Sequence, residues 1–587
     1  MSMLKIRSVK NSTRPFWVIE SVTMSNVDVI VVGAGFGGLR ALHALRQQGK
    51  QVQVIEASDD VGGVWYHNGY PGARCDVESY DYSYSFSPEL EQEWVWSERY
   101  ATQPEILRYI RHVVERFGFR QHIRFGCRME RAEYLEDQAR WRIECSDGSS
   151  WTARHLVMAV GQLSAPKAPN YPGQDRFKGQ IIHSAVWPKT PVSYEGKRVA
   201  IIGTGSSGMQ MTPVIAQEAK HLTVFQRTPN YSVPAANAPV SPEEDARVKA
   251  HYRQRREQAW NSPTGLGFLP GKKSALEATP EERAQVYEAA WNRLGFGFAL
   301  SYFDILLNKE ANDTAAQFIR QKIASVIEKP ELRQKLVPHD HAFAARRPSV
   351  DSGYFQAFNR DNVQLADVRE FPILEFTSEG IRTAEQLHAF DLIIFATGFD
   401  AFTGSLLKPE IVGRRGQTLR DKWAAGPITQ LGIGSSGFPN LFVLVGPGSP
   451  SLLSNVMVSI EEQSDWFARM MADMDRMGVV EVEVTEAAER AWVAHVNARA
   501  RETLYLTADS YYNGAEVAGK PRVFMPYSGG VRGYRRLLHL CADSGYAGFE
   551  LRDKPLALGG HAINAGATVV NLAPLSPAEE AEAKALA

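Results

Sequence analysis

Apolar and polar positions follow the same order in two separate stretches of the chain. Residues 28–32 and residues 199–202 are apolar runs rich in β-branched side chains, and each leads into a glycine-rich turn and then into apolar residues at helical spacing. This order is typical of a buried parallel strand followed by a helix. A second apolar run follows each helix, at residues 52–55 and 222–225. We therefore predict two separate β–α–β units.

The glycine spacing in the two turns indicates what these units bind. The turns read GAGFGG from residue 33 and GTGSSG from residue 203. Between a strand and a helix, this spacing lets the backbone approach a dinucleotide pyrophosphate, which meets amide donors at the helix N-terminus. The pattern predicts an α/β protein with two Rossmann-like dinucleotide-binding domains. Its glycines are Gly33, Gly35, Gly38, Gly203, Gly205 and Gly208.

The residues at the ends of the second strands differ between the two units. Glu56 ends the first unit, whereas Arg227 and Thr228 end the second. A carboxylate suits a free ribose 2′-hydroxyl, and an arginine suits a 2′-phosphate. The contrast predicts FAD in the first domain and NADPH in the second.

The remaining pattern suggests how the chain is divided. Residues 240–335 are rich in Arg, Glu, Ala and Leu at helical spacing, which predicts an inserted helical subdomain without chemistry of its own. The N-terminal extension has no secretory pattern; we expect it to be disordered, with Met24 as a candidate natural start. The residues after Pro577 are expected to be exposed or frayed. The predicted parts are an N-terminal extension (1–26), an FAD domain (27–165 and 389–550, the latter with a loop over NADP), an NADP domain (175–240 and 336–388), the insertion (241–335) and a C-terminal tail (551–587).

Composition excludes several classes of protein. The 587 residues carry a net charge of −1, so nothing favours nucleic acid or an anionic membrane as partner. No apolar run approaches the ~20 residues that span a bilayer. The four cysteines are far apart, which disfavours a disulfide framework, a zinc site and a redox dithiol and leaves a reducing cytoplasm as the default compartment. His339-Asp340-His341 lacks a completed ligand set, so we predict no metal.

The segment between the two glycine turns carries a family pattern. Residues 177–188 read FKGQIIHSAVWP, and the spacing FxGxxxHxxxWP resembles the signature of the type I Baeyer–Villiger monooxygenases. Physical chemistry offers no derivation of this pattern. Members of that family are single-chain flavoenzymes that use FAD, NADPH and dioxygen to convert ketones into esters or lactones. The resemblance runs from about residue 27 to about residue 550.

Further segments resemble the family, and they imply site residues. Arg347 takes the place of the catalytic arginine, with Asp76 beside it and beside the flavin. The implied FAD contacts are Gly33, Gly35, Gly38, Glu56, Val64, Trp65, Asp76, Tyr82, Met129, Gln162 and Val456. The implied NADP contacts are Arg74, Cys75, Gly203, Thr204, Gly205, Ser206, Ser207, Gly208, Gln210, Arg227, Thr228, Arg346, Arg347 and Tyr511. Two positions depart from the family, because Arg346 replaces its usual lysine and Ser510-Tyr511-Tyr512 stands where it usually has tryptophan.

The family resemblance also implies a mechanism. NADPH reduces FAD, dioxygen adds at flavin C4a, and the resulting peroxide attacks a ketone. A cation at Arg347 would keep that peroxide deprotonated and stabilise the alkoxide that follows, and Asp76 would orient the guanidinium. Retained NADP⁺ would keep water away. In an alternative interpretation Arg347 is only a phosphate clamp.

Three other functions stay open at this point. An N- or S-oxygenating flavin monooxygenase is the nearest alternative, although its related motif usually lacks the Trp187-Pro188 ending. A disulfide reductase with two nucleotide domains is disfavoured by the lack of a paired-cysteine motif. A non-catalytic redox-sensing module would not need Asp76 and Arg347. The sequence does not identify the ketone, and it does not reveal the oligomeric state.

Overall fold

A computed structural model describes residues 4–8, 17–21, 25–293 and 295–564. The described strands are β1 (Leu4–Ser8), β2 (Trp17–Ser21), β3 (Ser25–Val32), β4 (Val52–Ile55), β5 (Ile123–Arg124), β6 (Met129–Leu135), β7 (Arg140–Cys145), β8 (Ser150–Met158), β9 (Gln180–His183), β10 (Arg198–Ile202), β11 (His221–Gln226), β12 (Ser232–Pro234), β13 (Ser349–Asp351), β14 (Val363–Asp367), β15 (Ile373–Phe376), β16 (Gly380–Thr383), β17 (Leu387–Ala389), β18 (Leu392–Phe395), β19 (Glu410–Val412), β20 (Leu441–Val443), β21 (Glu481–Val484) and β22 (Phe549–Arg552). The described α-helices are α1 (Phe36–Gln47), α2 (Val64–His67), α3 (Pro88–Glu93), α4 (Gln103–Arg116), α5 (Ser206–Glu218), α6 (Pro242–Ala250), α7 (Tyr252–Asn261), α8 (Pro280–Trp291), α9 (Lys309–Val326), α10 (Pro330–Leu336), α11 (Tyr354–Ala357), α12 (Gly404–Leu407), α13 (Leu419–Lys422), α14 (Val456–Met477), α15 (Glu486–Arg501) and α16 (Val531–Asp543).

The first dinucleotide domain is built on an eight-stranded sheet. Its strand order is β19-β6-β7-β8-β3-β4-β5, with β20 paired to β8. At its centre β3 runs parallel to both β4 and β8. Val29, Val31 and Val54 on these strands are fully buried, and they pack with the buried face of α1 and with α14. The first predicted β–α–β unit is confirmed.

The second dinucleotide domain is built on a five-stranded parallel sheet of order β14-β11-β10-β18-β9. The unit β10–α5–β11 at its centre confirms the second prediction. The place of β18 corrects one boundary, because we expected residue 389 onward to belong to the first domain. An apolar run such as residues 392–395 suits any buried parallel strand. Only its register against residues 199–202 assigns it to this sheet.

The segment between β12 and β13 contains α6 to α10, which confirms the predicted helical insertion. One side of the insertion packs against the first domain, where Arg256 pairs with Glu91 at 2.8 Å. Arg255 binds Asp81 at 2.6 Å and Glu78 at 2.7 Å. Ion pairs between side chains therefore connect the insertion to the first domain.

The structure describes only part of the two predicted chain ends. β1 and β2 form an antiparallel pair, so the prediction of a disordered extension is wrong over those strands. Both segments carry β-branched or aromatic residues, such as Ile6 and Trp17, which favour strands. The residues after Pro577 lie outside the described part. Within that part, every helix is too short or too polar to cross a bilayer.

Candidate active site

The two glycine turns have the shape that a dinucleotide requires. Gly33 and Gly203 adopt φ values of +104° and +114°, which favour glycine. A Cβ atom on Gly38 would lie 1.8 Å from the Gly33 carbonyl oxygen, and one on Gly208 would lie 2.1 Å from that of Gly203. Gly205 has no atom within 4 Å on its Cβ side. The turns therefore pack strand against helix and leave the helix N-terminus open, which fits a bound pyrophosphate.

The acid at the end of β4 is held in place. Glu56 is buried, and its carboxylate accepts hydrogen bonds from the backbone amides of Ala34 at 2.7 Å and Ser58 at 2.8 Å. Ala34 lies inside the first glycine turn, so the carboxylate is fixed beside the predicted pyrophosphate site. Met129, the first residue of β6, is also buried.

A cluster of cations stands at the end of β11. Arg227 is exposed there, and the Thr204 hydroxyl donates to the Thr228 carbonyl at 3.0 Å. Burial lowers the pKa of Arg346, and the charge of Arg227 lowers that pKa further. Within the described residues, the buried Nε of Arg346 has no hydrogen-bond partner. Burial and Arg227 also lower the pKa of Lys167, which we did not predict. The charges of Asp340 at Arg346 and of Glu516 at Lys167 offset part of this repulsion. Three neighbouring cations nevertheless fit an anionic phosphate group.

Arg347 and Asp76 meet between the two domains. The Arg347 Nε and Nη2 atoms each donate to Asp76 at 3.0 Å, while Nη1 donates to the Leu452 carbonyl at 2.7 Å. The Phe296 ring lies 4.3 Å from the guanidinium carbon. Burial alone would lower the pKa of Arg347, but the charge of Asp76 and its hydrogen bonds raise that pKa above its usual value. Arg347 is therefore a permanent cation, and its side chain is only 21% exposed.

The backbone around Asp76 is fixed by its neighbours. The Cys75 sulfur is buried and accepts from the Val77 amide at 3.4 Å. Arg74 binds Glu98 at 2.9 Å. That contact directs the Arg74 guanidinium to a carboxylate of its own domain. The contact between Arg74 and NADP stays a prediction.

Gln210 links the two domains beside this loop. It lies on α5 behind Ser206 and Ser207, accepts from the Tyr70 hydroxyl at 2.9 Å and donates to the Arg74 carbonyl at 3.1 Å. The helix that would bind the second dinucleotide is therefore hydrogen-bonded to the loop that carries Asp76.

Two residues that we predict to contact FAD, Val456 and Gln162, lie at or near the start of α14. Val456 is its first residue, and the Asn455 side chain caps it by accepting from the Met457 amide at 3.1 Å. Gln162 bonds to the Val445 carbonyl and the Ser451 hydroxyl just before that cap.

Two further residues that we predict to contact FAD touch each other. Trp65, next to Val64 in α2, donates through its indole nitrogen to the Tyr82 hydroxyl at 3.1 Å.

The family signature acquires a physical account in the structure. A Cβ atom on Gly179 would lie 2.6 Å from the Asp391 carbonyl oxygen. His183 Nδ1 accepts from the Ala185 amide, so Nε2 carries the proton and donates to the Lys167 carbonyl at 3.0 Å. Trp187 is buried, and its amide donates to the His67 carbonyl of the first domain at 3.1 Å. The signature therefore joins the second domain to the linker and to the first domain.

Tyr511 and Tyr512 lie beside Arg347. Their ring centroids are 4.7 Å apart. Burial raises the pKa of both phenols, and the charge of Arg347 opposes that rise in each case. Both phenols are thus neutral and lie beside the same cation.

Sequence reasoning missed several of these contacts. Phe296 comes from the insertion, to which we assigned no chemistry. The Leu452 contact is made by a backbone carbonyl, for which no side-chain pattern exists. Cys127 and Cys145 are far apart in the sequence. In the structure they lie together with Asp147, and the ligand atoms of the three residues are all within 4.8 Å of one another. All four cysteines are free.

Two dinucleotide folds that meet at a partly buried arginine define a flavin- and nicotinamide-dependent oxidoreductase. The family described as pyridine nucleotide-disulphide oxidoreductase matches residues 30–263. A Baeyer–Villiger monooxygenase of Pseudooceanicola batsensis is 43% identical over 87% of this chain and 94% of its own. A phenazine N-monooxygenase of Lysobacter antibioticus is 40% identical over 87% of this chain and 94% of its own. The solved structure of an oxidized steroid monooxygenase bound to NADP shares 49% identity, covers 90% of this chain and 99% of its own, and has a TM-score of 0.87. This chain belongs to the Baeyer–Villiger monooxygenase family.

Proposed function

We propose that this protein inserts one oxygen atom of dioxygen next to the carbonyl group of a small-molecule ketone, giving an ester or a lactone, with FAD and NADPH as cofactors. The observation that carries the proposal is the permanent cation of Arg347, which lies partly buried between the FAD and NADP domains and is fixed by Asp76. Bound FAD, once reduced by NADPH, supplies the activated oxygen.

The residues of the chain supply charge and position. Arg347 stabilises the negative charge that develops on the ketone oxygen, because a fixed cation in a site shielded from water needs no reorganisation. Asp76, the Leu452 carbonyl and the Phe296 ring together hold the guanidinium in one orientation. Tyr511 and Tyr512 cover the cation and exclude water.

The NADP domain supplies the cofactor preference. Arg227, Arg346 and Lys167 form a positive cluster that suits the 2′-phosphate of NADPH. Four free cysteines suit a reducing compartment, and we place the protein in the cytoplasm.

Turnover with defined substrates tests the proposal. NADPH oxidation by the FAD-loaded protein is followed with a cyclic ketone, a linear ketone or a phenazine under isotopically labelled dioxygen. The proposal expects ketone-dependent NADPH oxidation and one labelled oxygen in the ester or lactone. Because one relative is a phenazine N-monooxygenase, N-oxygenation is the second candidate. It gains support if only the phenazine is oxygenated, and that outcome overturns the proposal.

A further inference from the structure

Two cysteines of the FAD domain lie together outside the site described above. Cys145 ends β7 and Cys127 precedes β6, the neighbouring strand. Their sulfur atoms and a carboxylate oxygen of Asp147 all lie within 4.8 Å of one another. Cys127 is 1% exposed and Cys145 is 6% exposed, directly beneath the exposed residues 146–148. The pair is thus sheltered by a single turn.

The surroundings of Asp147 favour a thiol pair over a metal site. One carboxylate oxygen accepts from the Ser149 amide at 2.9 Å and from its hydroxyl at 2.6 Å. The other accepts from Arg124 at 2.9 and 3.0 Å. Both oxygens are engaged, and the guanidinium of Arg124 repels a cation. The carboxylate therefore stabilises the turn, and neither of its oxygens is available to bind a metal ion.

The two thiols are not equivalent. The Cys127 sulfur lies 3.6 Å from the Ser149 hydroxyl and 3.7 Å from the nearer Asp147 oxygen. A hydrogen bond from Cys145 lowers the pKa of Cys127, and the same interaction raises that of Cys145. The thiolate is the nucleophilic form. We assign the attack to Cys127, because the Ser149 hydroxyl lies within hydrogen-bonding reach of its sulfur, and the resolving step to Cys145.

We propose that Cys127 and Cys145 are a peroxide-sensitive dithiol that closes into an intrachain disulfide. The oxidant is hydrogen peroxide. The Cys127 thiolate attacks one peroxide oxygen, the O–O bond breaks, and the departing hydroxide takes a proton and leaves as water. Cys145 then attacks the Cys127 sulfur, an S–S bond forms, and the S–O bond breaks. The second hydroxide leaves as water with the Cys145 proton, so two thiols and one peroxide give one disulfide and two waters.

The position of the pair couples its oxidation to the cofactor site. The Cys127 amide donates to the Glu56 carbonyl at 2.8 Å, and the Gly126 amide donates to the Ser58 carbonyl at 2.8 Å. Disulfide closure pulls Cys127 toward Cys145, and this strains the strand end that carries Glu56. The oxidised protein should therefore lose FAD faster. This consequence rests on the proposed function, whereas disulfide formation does not.

Disulfide mapping tests the dithiol without any activity assay. The full-length FAD-loaded protein is treated with hydrogen peroxide, its remaining thiols are blocked with N-ethylmaleimide, and it is digested without reduction for mass spectrometry. We expect a peptide that joins Cys127 to Cys145 and disappears with dithiothreitol. Cys127→Ser and Cys145→Ser should each abolish it, and Cys541→Ser, a change at another buried cysteine, should not.

Three outcomes overturn the proposal. In the first, all four thiols of the wild-type protein remain open to alkylation after peroxide. In the second, Cys127 is oxidised further while Cys145 stays a thiol. In the third, Zn²⁺ alone binds the untreated protein and protects both thiols, which would make the pair a metal site. FAD release is measured separately by flavin fluorescence. A disulfide that forms without faster release overturns only the coupling to FAD.

Discussion

The guanidinium of Arg347 donates two hydrogen bonds of 3.0 Å each to the carboxylate of Asp76. Asp76 belongs to the FAD domain, whereas Arg347 follows the helical insertion and precedes β13 and the rest of the NADP domain. The pair of Arg347 and Asp76 therefore forms only when the two domains are packed together. Gln210 and the Trp187 amide cross the same boundary.

The first prediction concerns Arg347→Ala. NADPH-driven reduction of the flavin should continue, because hydride transfer does not need this cation. Ester or lactone formation should fall by about 10²–10³-fold, as when one donor is removed from a preorganised charge-stabilising site. Stopped-flow absorbance measures the reduction, and gas chromatography measures the product. Arg347→Lys is the matched control, since it keeps a charge and loses the bidentate geometry. A normal ester yield in Arg347→Ala would contradict the assignment.

The second prediction concerns Arg227→Ala. A charge-assisted contact is worth ~1.5–3 kcal/mol, so the preference for NADPH over NADH should fall by about one to two orders of magnitude. The ratio of kcat/KM for the two cofactors measures it. Lys220→Ala removes a charge beside the opposite end of β11 and should leave the ratio unchanged. An unchanged ratio in Arg227→Ala would show that the phosphate lies elsewhere.

Local patterns were sufficient for the two β–α–β units, because strand, turn and helix are contiguous and the glycines are required by close backbone contacts. The positions of Glu56 and Arg227 could be predicted for the same reason, because each residue directly follows the second strand of its unit. The placement of β18 and the contact of Phe296 with Arg347 could not be predicted, since each depends on residues far away in sequence. The proximity of Cys127 and Cys145 depends on cross-strand register, which spacing along the chain does not reveal.

The third prediction concerns pH. Burial, followed by the charges of Arg40 and Arg46, lowers the pKa of His43 from 6.5 to about 4. Between these two values the unfolded chain binds a proton that the folded protein does not, so His43 lowers stability as the pH falls through that window. His43→Phe preserves stacking on Phe86, 4.0 Å away. This variant should lose less Tm than the wild type between about pH 7 and about pH 5.

Scanning calorimetry at the two pH values measures the difference. His561→Phe, at an exposed position, is the control and should follow the wild type. Equal losses of Tm in His43→Phe and the wild type would show that His43 does not titrate in this window.

The fourth prediction concerns residues 515–527, the loop that the family resemblance predicts to cover NADP. Lys520 is almost fully buried, and its ammonium donates to Asp400 and to the Ala401 carbonyl at 2.6 Å each. Lys520→Met keeps the length of the side chain and removes these contacts. The loop should then open more often, with weaker NADP⁺ binding and faster proteolysis between residues 515 and 527. Lys554→Met, at an exposed position, should change neither. Wild-type NADP⁺ affinity in Lys520→Met would contradict the role of this contact.

The last prediction concerns Tyr511, which with Tyr512 stands where the family usually has tryptophan. Tryptophan offers one N–H donor on a wide ring, whereas a phenol offers one donor at the far end of a narrower ring. Since both phenols lie beside Arg347, we expect the pair together to replace the single indole. Tyr511→Phe should increase NADPH oxidation that yields no product, because the site loses one donor and admits water. Tyr511→Trp should couple NADPH oxidation to product formation as the wild type does, and it should narrow the range of ketones that are oxidised. Tyr512→Phe is the matched control for the second phenol, and product formed per NADPH consumed is the measurement. If both Tyr511 variants keep wild-type coupling and the same ketone range, Tyr511 is not part of the site.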